Sequence, residues 1–77
     1  MMSSDEKVIF DSLYSKYNKM LLSKKECGSE LNKSVATLDR ERKMALGVQY
    51  IKSGQGNIYY PLLEIARYII SQQIKTI

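Results

Sequence analysis

The sequence contains no histidine and only one cysteine, Cys27. A lone cysteine cannot form a disulfide within the chain, and without histidine the usual zinc-ligand sets cannot be assembled. The same absences leave no cysteine–histidine pair and no histidine to act as a general base, so we expect no enzymatic activity, no metal and no cofactor. Cys27 is expected to be a small buried side chain.

Long apolar runs are also missing. No run approaches the roughly 20 residues of a membrane span, and residues 1–7 begin acidic rather than basic and then apolar. We therefore expect a cytoplasmic chain with no membrane partner. A length of 77 residues favours a single domain over residues 1–77. A domain of this size has little room for a deep cleft, so no small-molecule substrate is expected.

Positive charge is in excess. Lysine and arginine number 12 against 8 aspartate and glutamate residues, which gives a net charge of +4. Because lysine and arginine carry the sequence-independent attraction to phosphates, this excess favours a polyanionic partner. Charge alone does not identify that partner, so the positions of the basic residues have to decide.

An amphipathic helix is predicted over residues 5–19. Ser4 or Asp5 would cap its start and Asn18 would end it. Its apolar positions recur at spacings of three and four, and we expect them to pack in the core: Ile9, Phe10, Leu13, Tyr14, Tyr17 and, just beyond the helix, Met20.

Two shorter helices are predicted to meet in a tight turn within residues 23–44. Residues 23–26, Ser-Lys-Lys-Glu, match the capping box that starts a helix. Asn32 tolerates the left-handed conformation that ends a helix, and Ser34 can cap the next one. Gly28 would let the second helix cross close to the first, as a helix-turn-helix unit requires. The predicted apolar seam between the two helices consists of Leu31, Val35 and Leu38.

A β-hairpin is predicted over residues 48–60, with the glycine-containing loop 53–56 between its strands. Pro61 suits the first position of a last helix, predicted over residues 61–75. That helix is apolar over a wide arc, so either it is the central strut of the core or its far side contacts a second copy of the chain. The residues for such a contact would be Tyr68, Ile70 and Ile77.

Several strings of this sequence, in their order and spacing, resemble the excisionase-like DNA-binding domains of phages and related mobile elements. These domains are a winged branch of helix-turn-helix proteins, similar to the MerR DNA-binding domain. The strings are Leu22-Ser23-Lys24-Lys25-Glu26, Asn32-Lys33-Ser34 with Thr37-Leu38-Asp39-Arg40, Tyr50-Ile51-Lys52-Ser53-Gly54, and Tyr59-Tyr60-Pro61 leading into residues 62–68.

The resemblance spans residues 22–70 and implies a fold that is mainly α with a small β-hairpin, a winged helix-turn-helix. It implies DNA binding without enzymatic activity, either as an accessory factor in DNA recombination or as a small regulator of transcription. The chain departs from the family at Lys33, where a hydrophobic residue is common, and at Val48 and Gln49, where prolines are common. Gly28 stands where alanine is usual.

In a helix-turn-helix the second helix enters the major groove, where residues near its N-terminus reach base edges. Arg40 is the candidate for bidentate binding of a guanine, with a phosphate contact or a pair with a neighbouring carboxylate as the alternatives. Asp39 and Glu41 should face away from DNA, or orient Arg42 or Lys43. The predicted DNA-binding residues are Lys33, Ser34, Ala36, Thr37 and Arg40 towards the bases, Lys24, Lys25, Arg42 and Lys43 towards phosphates, and Lys52, Ser53, Gln55 and Asn57 on the wing.

These features together predict sequence-specific binding of double-stranded DNA. One small domain offers a small footprint, so we expect further copies on adjacent sites or a recombinase as a protein partner. The alternative is a protein-interaction module that does not bind DNA. In that case the apolar last helix and the tyrosines of the first helix would engage another protein.

Overall fold

Four helices and a three-stranded antiparallel sheet make up residues 3–72, the part of the chain that this computed structural model describes. The sheet order is β1-β3-β2, so β3 is the central strand. The predicted class, mainly α with a small β-hairpin, is confirmed. The elements in chain order are α1 (Ser4–Tyr17), β1 (Leu21–Ser23), α2 (Lys24–Leu31), α3 (Val35–Lys43), β2 (Ile51–Ser53), β3 (Asn57–Pro61) and α4 (Leu62–Ser71).

Serine side chains cap the starts of three helices. Ser3, Ser23 and Ser34 each accept a hydrogen bond from the backbone N–H three residues later, and at Ser23 the capping box is complete. Asn18 and Asn32 end α1 and α2 in the left-handed conformation, both at φ 58°. Four of these five positions are as predicted, and α1 begins slightly earlier because its cap is Ser3.

One hydrophobic core takes residues from all four helices and from β1 and β3. Cys27 is fully buried, as expected from the sequence. The helix α4 packs against α1 and supplies three buried side chains, more than any other element. The buried residues are Leu13, Leu22, Cys27, Leu38, Val48, Ile58, Tyr60, Leu62, Ile65 and Ala66.

Three residues predicted to be apolar contacts are instead exposed. Tyr14 has 42% of its surface exposed. It follows the buried Leu13, and successive side chains of a helix are about 100° apart, so Tyr14 points away from the side that Leu13 packs into the core. Met20 is 51% exposed in the link between α1 and β1, and Val35 lies in the first turn of α3, beside a surface groove. The predicted core membership of Tyr14 and Met20 is therefore wrong, and the seam between α2 and α3 depends mainly on Leu38.

The sheet has one strand that the sequence did not predict, and Pro61 belongs to it rather than to a helix. Strand β1 pairs with β3, and Pro61 lies opposite Leu21 at the end of this ladder. With ψ at 140°, Pro61 is the extended residue that precedes α4, so its predicted place at the first helical position is wrong. The N–H of Leu62 donates to the carbonyl of Met20 at 2.9 Å, which satisfies a donor at the start of α4.

The hairpin is shorter on its first side than predicted. Strand β2 begins at Ile51, whereas Val48 is buried in the connection that precedes it. The second strand and the glycine loop lie where the sequence placed them, with Ser53 paired opposite Asn57. The strand expected from Val48 is therefore mostly irregular chain that anchors the hairpin to the core.

The helix α3 ends in a left-handed turn centred on an alanine. Ala45 has φ 57°, its N–H donates to the carbonyl of Arg42, and the N–H of Leu46 donates to the carbonyl of Glu41 at 2.8 Å. This hydrogen-bond pair is the Schellman motif. Gly47, the predicted stop, also has a positive φ of 83°, but it follows the turn that ends the helix.

The tight turn between α2 and α3 explains Gly28. A Cβ atom at this position would lie 2.5 Å from the carbonyl oxygen of Lys33, a distance that no side chain tolerates. The N–H of Lys33 donates to the carbonyl of Gly28 at 2.8 Å. The close approach predicted from a glycine in a helix interior is confirmed.

The predicted continuation of α4 from residue 73 to 75, and the predicted contact residue Ile77, lie outside the described residues. Tyr68 and Ile70 are half-buried. Within residues 3–72, no helix has both the length and the apolar character needed to cross a membrane.

Candidate nucleic-acid interface

The helix α3 lies on the surface and buries only Leu38. Positions two residues before and two residues after a buried residue face the opposite side of a helix. Ala36 and Arg40 occupy these positions, Lys43 lies close to the same face, and all three are exposed. The outer face of α3 therefore presents one small apolar side chain, Ala36, and two cations, Arg40 and Lys43.

Polar side chains in the first turn of α3 form a short chain of hydrogen bonds. The Ser34 hydroxyl accepts from the N–H of Thr37 at 3.1 Å and lies 2.9 Å from the Thr37 hydroxyl. The Arg40 guanidinium donates to that hydroxyl at 3.4 Å. Arg40 is thereby directed along the helix towards its N-terminus, where residues of a DNA-reading helix meet base edges.

The tip of the β2–β3 hairpin is exposed and turns through two glycines. Gly54 has φ 60° and Gly56 has φ 92°, values that glycine adopts without strain. The four polar residues predicted on this hairpin are all exposed: Lys52, Ser53, Gln55 and Asn57.

An open groove of about 410 Å³ lies between the hairpin and the starts of α2 and α3. It places the hairpin beside α3, because Val35 and Asn57 line the same groove. The lining residues are Ser23, Lys24, Lys25, Val35, Gly56, Asn57, Ile58 and Tyr59. Only Lys24, Lys25 and Asn57 of these were predicted to bind DNA. For Val35, the sequence signal is its place in the exposed first turn of α3, directly after the cap Ser34.

Lys33 does not lie on the outer face of α3. Its ammonium group donates to the Glu41 carboxylate at 2.7 Å and to the Tyr68 hydroxyl at 2.6 Å, with only 22% of the side chain exposed. Burial alone would lower the pKa of Lys33, but the hydrogen bonds to Glu41 and Tyr68 outweigh it and leave that pKa raised. The structure directs Lys33 towards α4, away from the outer-face position expected of a base contact.

Arg42 also points inward. Its guanidinium donates to the Asp39 carboxylate at 2.8 Å, lies 5.6 Å from the centre of the Tyr50 ring and leaves 16% of the side chain exposed. Lys24 contacts the same carboxylate oxygen at 3.2 Å. The sequence contains the signal for this orientation, because Arg42 follows the buried Leu38 by four residues and so shares its side of the helix.

Four cations remain without an ion pair to any described carboxylate, and all four were among the predicted DNA-binding residues. They are Lys25 on α2, Arg40 and Lys43 on α3, and Lys52 on β2. The other cations of residues 3–72 are paired: Lys7, Lys16, Lys19, Lys24, Lys33, Arg42 and Arg67. Uncompensated positive charge in this part of the chain is therefore confined to α2, α3 and the hairpin.

Cys27 is buried in the hydrophobic core and is not exposed on this surface. Burial raises the pKa of the Cys27 thiol to about 12, so the thiolate that a nucleophile requires is not formed at neutral pH. No group of three or more Cys, Asp and Glu residues within residues 3–72 is arranged to hold a metal ion. Comparison of the chain with protein-family models, with curated proteins and with solved structures gives no match.

Proposed function

We propose that this protein binds double-stranded DNA in a sequence-specific manner, as a winged helix-turn-helix. In this proposal α2 and α3 form the helix-turn-helix and the β2–β3 hairpin is the wing. The tight turn at Gly28 and Asn32, the exposed outer face of α3 and the groove that it shares with the hairpin support this assignment.

The observation that carries the proposal is the position of the unpaired cations. Seven of the eleven cations in residues 3–72 form ion pairs with carboxylates, and the four left over all lie on α2, α3 and the hairpin. A scattered surplus of charge would leave unpaired cations on α1 or at Arg67 of α4 as well. A cationic surface on adjacent elements is what a duplex backbone attracts.

In the proposed complex the N-terminal half of α3 enters the major groove. Arg40, directed there by Thr37, binds a guanine through its O6 and N7 atoms, and the exposed methyl group of Ala36 can contact a thymine methyl. Lys25 and Lys43 bind phosphates. Lys52 and the glycine-containing tip of the wing approach the adjacent backbone or minor groove.

The small size of this surface bears on how the protein would act on DNA. A single domain covers few base pairs, so specific occupancy requires several copies along the site or a partner protein such as a recombinase. An accessory role in DNA recombination and a role as a small transcription regulator both use this mode of binding. Occupancy of adjacent sites by several copies would fit either role.

The alternative, a protein-interaction module built on α4, has less exposed surface than the sequence suggested. Within residues 62–71, the apolar side chains of α4 are buried or half-buried. The exposed large apolar residues lie on other elements, among them Tyr14, Met20 and Leu46. This alternative predicts affinity for a protein and no salt-sensitive affinity for DNA.

Selection from a random duplex library, followed by footprinting of the selected site, tests the proposal. We expect wild-type protein to enrich one sequence motif. Arg40→Ala should lose about 1–3 kcal/mol of discrimination at one G·C pair of that motif. Arg67→Ala is the control, since Arg67 is an exposed, ion-paired arginine on α4 and should leave the motif unchanged. Absence of any enriched motif with wild-type protein would contradict sequence-specific binding.

A further inference from the structure

One carboxylate joins the two helices of the proposed DNA-binding surface. The Oδ1 atom of Asp39, on α3, forms an ion pair with Lys24 at the start of α2 and accepts a hydrogen bond from Arg42 one turn further along α3. Asp39 is only about one-third exposed. Both cations were expected to contact phosphates, but in this structure each is engaged by the same oxygen atom.

Arg42 extends this contact to the sheet. Its guanidinium lies over Tyr50, the residue before β2, and the Tyr50 and Tyr60 rings are 6.4 Å apart at an angle of 57°. The hydrogen bond to Asp39 raises the pKa of Arg42, and the Tyr60 side chain adds to this effect. Arg42 and Lys24 in turn lower the pKa of Asp39. The contacts thus run from α2 through α3 to the base of the hairpin.

We propose that Asp39 is a positioning residue for DNA binding, which fixes the hairpin relative to α3 by holding Arg42 against Tyr50. This inference rests on the proposed function. The wing and α3 can bind the same duplex only if the distance between them matches the distance from the major groove to the adjacent backbone or minor groove. Holding that separation before binding avoids the cost of ordering it in the complex.

The proposal can be separated from simple electrostatics because the two predict opposite signs. Asp39→Asn removes a negative charge near the DNA and frees Lys24 and Arg42 to reach phosphates. Electrostatics alone therefore predicts tighter binding and a steeper dependence on salt. Positioning predicts weaker binding with an unchanged salt dependence, because the phosphate contacts remain those of Lys25, Lys43 and Lys52.

The experiment compares duplex affinity, over a range of salt concentrations, for wild type, Asp39→Asn and two further variants. We expect Asp39→Asn to bind about fivefold more weakly. Asp11→Asn makes the same charge change in an exposed ion pair on α1 and should alter affinity by less than about twofold. Arg42→Lys keeps the charge but loses the planar group over Tyr50, so it should weaken binding as Asp39→Asn does. Equal or tighter binding by Asp39→Asn would overturn the positioning role while leaving DNA binding in place.

A measurement on the free protein keeps the proposal testable without DNA. Residual dipolar couplings of the backbone amides report the orientation of α3 relative to the hairpin. We expect Asp39→Asn, and Arg42→Lys if the first variant does not fold, to change this orientation, and Asp11→Asn to preserve it. An unchanged orientation in a folded Asp39→Asn protein would overturn the proposal. If wild type binds no duplex, that result contradicts the proposed function instead.

Discussion

At the scale of single residues, Ala45 is in a conformation that its side chain disfavours. Its φ of 57° allows the hydrogen bonds that end α3, but the left-handed region costs a residue with a Cβ atom about 1–2 kcal/mol. Glycine would adopt the same backbone without that cost, although it loses more conformational entropy on folding. The chain therefore carries a small strain at the point where α3 ends and the connection to the hairpin begins.

Replacement of Ala45 by glycine should stabilise the protein by about 0.5 kcal/mol, because relief of the strain exceeds the added entropy loss. The matched control is Ala36→Gly, the same substitution at an exposed position within α3, which should destabilise by about 1 kcal/mol. Urea unfolding of the two variants and wild type provides the measurement. Destabilisation by both substitutions to the same extent would show that the turn at Ala45 is not strained.

At the scale of elements, Glu30 holds α1 to α2. Its Oε2 atom accepts from the Lys16 ammonium at 2.9 Å and from the Tyr17 hydroxyl at 2.6 Å, across from the last turn of α1. These hydrogen bonds, with Lys16 the larger cause, lower the pKa of Glu30 from its usual 4.5. The charged carboxylate is thus favoured in the folded state.

The lowered pKa fixes the sign of a pH effect on stability. The contribution of Glu30 is fully present above its unfolded pKa of about 4.5 and is lost as the pH falls through the lower folded value. We expect Glu30→Gln to lower the free energy of unfolding near neutral pH and to flatten its decline below about pH 4.5. Urea unfolding at a series of pH values measures this. Asp5→Asn, at a carboxylate without an ion pair to a described residue, is the control. If the free energy of unfolding of Glu30→Gln declined below pH 4.5 as steeply as that of wild type, Glu30 would not stabilise the contact between α1 and α2.

The elements also show which features the sequence could predict. The helix ends around Ser23, Asn32 and Ser34 follow from local hydrogen bonding within a few residues, so the sequence predicted them correctly. Strand β1 has only three residues and exists because β3 lies beside it, which no local pattern reveals. Pro61 fits both a strand end and a helix start, and the ladder with β1 decides between them.

The sequence predicted the orientation of some cations of the candidate site and not of others. Arg40 and Lys43 lie on the outer face of α3 as the helical period requires. Lys33 and Lys24 turn to carboxylates on α3, at Glu41 and Asp39, and this pairing depends on how the two helices pack. Helical spacing alone could have identified Arg42 as inward-facing, since it repeats the position of Leu38.

At the scale of the whole molecule, every basic residue of α1 and α4 within residues 3–72 is ion-paired. The cations left without an ion pair in that range all lie on α2, α3 and the hairpin: Lys25, Arg40, Lys43 and Lys52. Lys7, Lys16 and Lys19 each pair with an acidic residue, while Lys25, Lys43 and Lys52 pair with none in the described chain. The net charge of +4 is thus expressed mainly in the segment from α2 to β2. A duplex should experience this segment as the binding surface and the rest of the described protein as nearly neutral.

The salt dependence of duplex binding tests this charge distribution most directly. Two triple variants lower the net charge by the same three units: Lys25→Gln with Lys43→Gln and Lys52→Gln, and Lys7→Gln with Lys16→Gln and Lys19→Gln. Removal of one phosphate-binding cation reduces the slope of log affinity against log salt by about 0.9. We predict a much shallower slope for the first variant and a slope close to wild type for the second. Equal slopes in the two variants would contradict the account.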